Sequence, residues 1–117
     1  MKKFYYLNSC STCKRILKEL ELPDQVQLID IKSTPLKEEE LQAMLVHSNS
    51  YEALFSKRAQ LYKQRNLKDQ SLSELDFKRL ILEHYTFLKR PILLTENTII
   101  IGNSAAAVAQ MKEVVHE

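Results

Sequence analysis

The first 31 residues change their hydrophobic period twice, and that change narrows the folds open to this chain more than any other feature. "KFYYLN" is short, aromatic and closed by the polar Asn8-Ser9, as a strand would be. From Ser11 the apolar positions Cys13, Ile16, Leu17 and Leu20 recur at i, i+3, i+4 and i+7, which is one face of a helix. Pro23 should end it. "VQLIDI" (Val26 to Ile31) reads as a second strand, apolar enough to be buried on both faces. A helix between two strands implies a parallel pair with a crossover, nearly always right-handed.

The same logic reads the other end. "PILLT" (Pro91 to Thr95) and "TIIIG" (Thr98 to Gly102) are β-rich runs separated by Glu96-Asn97, a hairpin pattern. Gly102 is the only glycine in the chain, and directly after a strand it suggests a turn with positive φ. Asn103-Ser104 can cap a last helix with Ala105, Val108, Met111 and Val115 inward. Between the two β regions the text is helical. Thr34-Pro35 precedes a helix with Glu38, Glu39 and Glu40 early and a stripe of Leu41, Met44 and Leu45. Ser50 can cap a short helix from Tyr51 to Phe55. Ser71 and Glu74 form a capping-box pattern opening a helix through Leu75, Leu80 and Ile81 to about His84, apolar on more than one side and so expected to be well buried. The expected fold is α/β: a βαβ…ββα mixed four-stranded sheet with a helical block inserted at about residues 35–88 of a single domain, residues 1–117.

Charge excludes one class of function. Seventeen basic and fifteen acidic side chains are interspersed for a net charge of +2, too balanced for binding nucleic acid through phosphate neutralisation. The exception is "KRAQLYKQRNLK", Lys57 to Lys68, with five cations and no acid. It reads as a solvated helix face or, more sharply, an oxyanion-attracting or partner-binding surface. Apolar runs reach about five residues, far short of a membrane span. The N-terminal "MKKFYYLNSC" has no long apolar segment or small-residue cleavage site, so the expected compartment is the cytoplasm, where thiols stay reduced.

The two cysteines, Cys10 and Cys13, stand three residues apart where the first strand hands over to the first helix. Free amide N–H groups and the positive end of the helix dipole converge there. Both favour a thiolate, so Cys10 is the candidate nucleophile, and Cys13, one turn on, could resolve a mixed disulfide. Lys14 and Arg15 add positive charge to the sequence nearby, and the amide nest at Ser11 and Thr12 would suit an oxyanion. A lone CxxC also fits half of a zinc site or two inert thiols. The other zinc candidates, His47, His84 and His116, lack paired spacing, and the strand–helix junction favours the redox reading.

Taken together, "NSCSTCKR", the "TP" turn, "YEALFSKR…LY", "FLKRPILL" and "IIIGNSAAAV" resemble the arsenate reductase-like family, from about residue 3 to residue 115. That family includes glutaredoxin-coupled arsenate reductases and Spx-type transcriptional regulators. The resemblance implies a thioredoxin-type fold, Cys10 as nucleophile, Arg90 as the residue that binds an oxyanion or steadies the thiolate, and a cis bond at Pro91. It further implies no bound cofactor, with glutathione, glutaredoxin or thioredoxin as reductant. The expected substrate is a small thiol, an oxyanion or a protein disulfide, and RNA polymerase is the expected partner in the Spx-type alternative. A monomer, with no membrane or direct nucleic-acid contact, is expected. The sequence departs from the arsenate reductases at two arginine positions, where it has Ser56, followed by Lys57 and Arg58, and Gly102. Lys57 or Arg58 would be the substitute. Arsenate carries close to two negative charges, so losing fixed guanidinium groups implies poor arsenate binding. In the Spx-type members the CxxC acts as a disulfide switch.

Overall fold

A computed structural model describes residues 1–117. They form two compact units, one made of Met1–Thr34 with Arg90–Glu117, the other of Pro35–Lys89.

The first unit holds a four-stranded sheet in the order β2-β1-β3-β4. The strands are β1 (Lys2–Tyr6), β2 (Gln27–Asp30), β3 (Ile92–Thr95) and β4 (Ile99–Ile101). Strand β1 runs parallel to β2, with Phe4 opposite Leu28, and antiparallel to β3, with Phe4 opposite Leu93. The β3–β4 pair is antiparallel. Two helices, α1 (Ser11–Leu20) and α5 (Ala105–Val115), share a core with the sheet. Phe4, Leu93 and Ile100 from the strands meet Ile16 and Leu20 of α1 and Val108, Met111 and Val115 of α5. Each fully buried aliphatic or aromatic side chain contributes about 1.5–3 kcal/mol, so this cluster holds α1 and α5 against the sheet. Both faces of β1 are buried, since Phe4 and its neighbour Tyr5 are equally inaccessible.

Several local readings are corrected. The second strand is an edge strand rather than a doubly covered one, and Leu28 is 48% exposed on it. Helix α1 stops at Leu20, where Glu21 takes a left-handed φ of 49°, before Pro23 can act. In α5, Ala105 is exposed and Ala107 takes the inward place. Its cap is Ser104, whose Oγ accepts from the Ala107 N–H at 3.1 Å.

The second unit is helical: α2 (Glu38–Ser48), α3 (Gln60–Gln64) and α4 (Glu74–Glu83), with short 3-10 turns at Glu52–Leu54, Leu67–Asp69 and Tyr85–Phe87. Phe55 is its aromatic centre, stacked on Phe87 at 5.3 Å and tilted against Phe77 at 4.9 Å. The capping box of α4 is Ser73 with Asp76, not Ser71 with Glu74. Glu74 is used elsewhere, accepting from the N–H groups of Tyr51 at 2.6 Å and Glu52 at 3.2 Å. With the helix starting later, Leu75 falls on the outer face and is 73% exposed rather than buried. No helix is long and apolar enough to cross a membrane.

Candidate functional site

The site is built from the β1–α1 connection. Leu7 O accepts from the Cys10 N–H at 3.0 Å, closing a four-residue turn over Asn8 and Ser9. Cys10 then takes extended angles (φ −92°, ψ 116°) as the N-cap of α1, and its carbonyl accepts the first helical bond from Lys14 N at 3.1 Å. The first turn of α1 carries no acid. The Cys10 sulfur therefore stands at an unopposed positive helix end.

The two thiols are free but unequal: Cys10 is half-buried and Cys13 fully buried. Partial burial alone would push the Cys10 thiol up. The backbone N–H of Cys13, the Cys13 thiol, the backbone N–H of Thr12 and the charge of Arg90 outweigh it, and Cys10 lies below the ordinary value of 9.0. Cys13 moves the other way. Burial, the largest cause, acts with the charge of Cys10 and the hydrogen bond to Cys10 against the Leu7 N–H and Arg90, and together they push it up to about 11. One thiol is thus prepared to ionise and the other to stay protonated as its hydrogen-bond donor.

Arg90 is half-buried immediately before Pro91, and the bond between them is cis. Pro91 is buried and needs no N–H partner. Its carbonyl accepts from Gly102 N at 2.8 Å. Gly102 has φ 97°, as its place after β4 suggested, and a Cβ there would meet nothing within 4 Å.

The first unit therefore brings Cys10, Ser11, Thr12, Cys13, Arg90 and Pro91 together around one helix N-terminus. Thr12 contributes its backbone N–H, and Ser11 is the exposed first residue of α1. Lys14 and Arg15 contribute less than their sequence position suggested. Both side chains are exposed, Arg15 faces Glu19 at 3.9 Å, and neither is among the groups that shift Cys10. Arg58 belongs to the second unit and is exposed there, in a segment whose charge is partly neutralised: Lys57 pairs with Glu52 at 2.8 Å and Arg65 with Glu83 at 3.1 Å. No group of three or more His, Cys, Asp or Glu side chains could hold a metal ion. His84 Nδ1 instead accepts from Thr86 N, and His116 Nε2 bonds the Leu20 carbonyl at 2.7 Å. Sequence reading missed Leu7 and Asp30. The one available signal was an acid inside the apolar run "VQLIDI".

Comparison with known proteins agrees with this arrangement. The ArsC family model matches residues 5–111. The global transcriptional regulator Spx of Enterococcus faecalis is 30% identical over 106 residues, covering 87% of this chain and 79% of that protein. The regulatory protein MgsR of Bacillus subtilis is 24% identical over 119 residues, covering 97% and 94%. Among solved structures, arsenate reductase from Vibrio cholerae superposes with a TM-score of 0.75 at 24% identity, covering 97% of this chain and 96% of that one. At that identity the likeness is one of fold, and the fold is thioredoxin-like.

Proposed function

The chain belongs to the ArsC family, and we propose that it is a thiol–disulfide redox protein with Cys10 as the attacking thiolate. The observation that carries the reading is the inequality of the two thiols: Cys10 lowered at the N-cap of α1, Cys13 buried and raised to about 11. In the proposed reaction the Cys10 thiolate attacks a substrate disulfide, releases one half as a thiolate, and forms a mixed disulfide with the other half. Cys13, after losing its proton, attacks the Cys10 sulfur, releases the second half and leaves a Cys10–Cys13 disulfide. Two equivalents of an external thiol such as glutathione, or one dithiol of thioredoxin type, then restore both thiols. The test is reduction of a small disulfide by glutathione, coupled to a reductase. Turnover should be lost in Cys10→Ser; turnover that survives in Cys10→Ser would refute the assignment. Arsenate should be a poor substrate, saturating only at high concentration, since Ser56 and Gly102 stand at the arginine positions of the resembled reductases.

A second reading is favoured by a separate observation: Spx and MgsR, two of the relatives matched over most of this chain, are named as regulators. Here the same cysteine chemistry sets a switch, and the output is binding to RNA polymerase rather than turnover. Purified polymerase should then retain the chain in one redox state and release it in the other, with the difference abolished in Cys10→Ser. Equal retention in both states would refute this reading.

A further inference from the structure

The turn that presents Cys10 is held from below by an acid on the neighbouring strand. Asp30 is the last residue of β2 and lies opposite Tyr6, the last residue of β1. Its carboxylate spans two loops. Oδ1 accepts from the backbone N–H of Asn8 at 3.3 Å and of Lys32 at 3.3 Å, and Oδ2 accepts from Ser33 Oγ at 3.1 Å. The Asp30 carbonyl also accepts from Thr34 N at 2.9 Å. Both loops leave the carboxyl ends of parallel strands, where α/β sheets place their reactive groups.

The turn explains why this contact matters. In a turn closed by Leu7 O and Cys10 N, the second residue's N–H takes no part in the closing bond and is open to another acceptor. That residue is Asn8, and its acceptor is Asp30. The closing bond joins Cys10 to Leu7, and the Asn8–Asp30 bond ties the same turn to the end of β2. We infer that Asp30 is a positioning residue, which aligns the Cys10 sulfur with the α1 amides by clasping the Asn8 N–H. Its charge is not among the influences on Cys10, so it acts through geometry. Burial raises the carboxyl, but the bonds from Asn8, Lys32 and Ser33 and the nearby Lys32 charge outweigh this, keeping it ionised and a strong acceptor.

The inference rests on the reading of Cys10 as nucleophile, and its test separates the two. Cys10 alkylation is measured at near-neutral pH in wild type, Asp30→Ala, Asp30→Asn, Asn8→Pro and the Asp30→Ala/Asn8→Pro double variant. Proline is tolerated at the second position of such a turn but has no N–H. Asp30→Ala and Asn8→Pro should each slow Cys10 alkylation about threefold or more, and the double variant should lose no more than either. Asp30→Asn, which keeps an acceptor oxygen, should stay within about twofold of wild type. A folded Asp30→Ala with the wild-type rate overturns the inference, as does an Asp30→Asn that behaves like Asp30→Ala, because the effect would then be one of charge. If Asp30→Ala does not fold, Asn8→Pro decides by the same criterion. If wild-type Cys10 reacts no faster than a free cysteine, the proposed function fails. Hydrogen exchange at the Cys10 amide then still decides the role of Asp30: acceleration in Asp30→Ala but not in Asp30→Asn, relative to amides late in α1, supports the clasp, and no acceleration overturns it.

Discussion

At near-neutral pH, brief alkylation of the reduced, folded protein should mark Cys10 and leave Cys13 almost untouched. The size of the contrast follows from the two thiols themselves. At about pH 7.5 a thiol with a pKa of about 11 is ionised to roughly three parts in ten thousand. One at the ordinary 9.0 would be ionised to roughly three parts in a hundred, and Cys10 lies below that value. The thiolate fraction at Cys10 therefore exceeds that at Cys13 by at least about a hundredfold. Nucleophilicity falls with pKa, with a Brønsted slope of about 0.4–0.5, so a gap of two units returns a factor of roughly six to ten to Cys13. Ionisation alone then leaves Cys10 about tenfold faster or more, and the complete burial of the Cys13 side chain widens the gap.

The assay is a short iodoacetamide pulse, quenched and read by mass spectrometry. Both cysteines fall in the tryptic peptide ending at Lys14, so fragment ions between them must locate the label. Labelling of Cys13 should grow about tenfold per pH unit through the alkaline range, while that of Cys10 levels off earlier. Equal labelling of the two within about twofold, in protein shown to be folded, would refute the claim that the helix N-terminus and burial divide their roles.

Three further outcomes are expected. Because the Cys13 pKa is raised in the folded state, its contribution to stability is fully present below the unfolded thiol value and is lost as pH rises toward about 11. The gap of about two units corresponds to about 2–3 kcal/mol, and urea midpoints of wild type against Cys13→Ala at about pH 8 and pH 11 should show wild type losing that much more. Cys13→Ala keeps the backbone N–H but loses the thiol bond, which ranks above the Arg90 charge, so it should raise the Cys10 pKa more than Arg90→Ala does, and Arg90→Lys should recover part of the smaller effect; thiolate absorbance near 240 nm reads all three. Ser73→Ala should cost about 1 kcal/mol in thermal or urea unfolding, the usual loss of an N-cap, whereas Ser71→Ala should be near neutral.

Much of this arrangement was legible in the sequence because it depends on period. The switch from "KFYYLN" to Cys13, Ile16 and Leu20 located the β1–α1 junction, and so located Cys10 at a helix N-terminus. What failed was decided by neighbours that period does not report. The strand "VQLIDI" reads as doubly buried, yet it lies at the sheet edge, and strand order is not encoded within the strand itself. Two overlapping pairs, Ser71 with Glu74 and Ser73 with Asp76, offered capping boxes. The choice between them turned on Glu74 being engaged by the distant amides of Tyr51 and Glu52. Asp30 was invisible for the same reason: its partner Asn8 is 22 residues away, and only parallel pairing brings them together.

The inequality of the thiols also orders the steps of the proposed chemistry. While Cys10 is a thiolate, it holds Cys13 protonated, through its charge and as acceptor of the Cys13 hydrogen bond. Once Cys10 has attacked and become a disulfide sulfur, both influences vanish, so the first step itself eases ionisation of the second thiol. Burial, the largest cause of the Cys13 shift, does not vanish. Burial therefore still restrains resolution by Cys13 after the first step, and an external thiol that reaches the mixed disulfide competes with closure of the internal bond. A small, mobile thiol such as glutathione favours release and turnover. A bulky external thiol, which reaches the Cys10 sulfur slowly, leaves time for Cys13 to expel the bound half and close the Cys10–Cys13 bond, a lasting oxidised state. Enzyme and switch are then the two outcomes of one competition at the Cys10 sulfur, and the burial of Cys13 sets the interval in which that competition is decided.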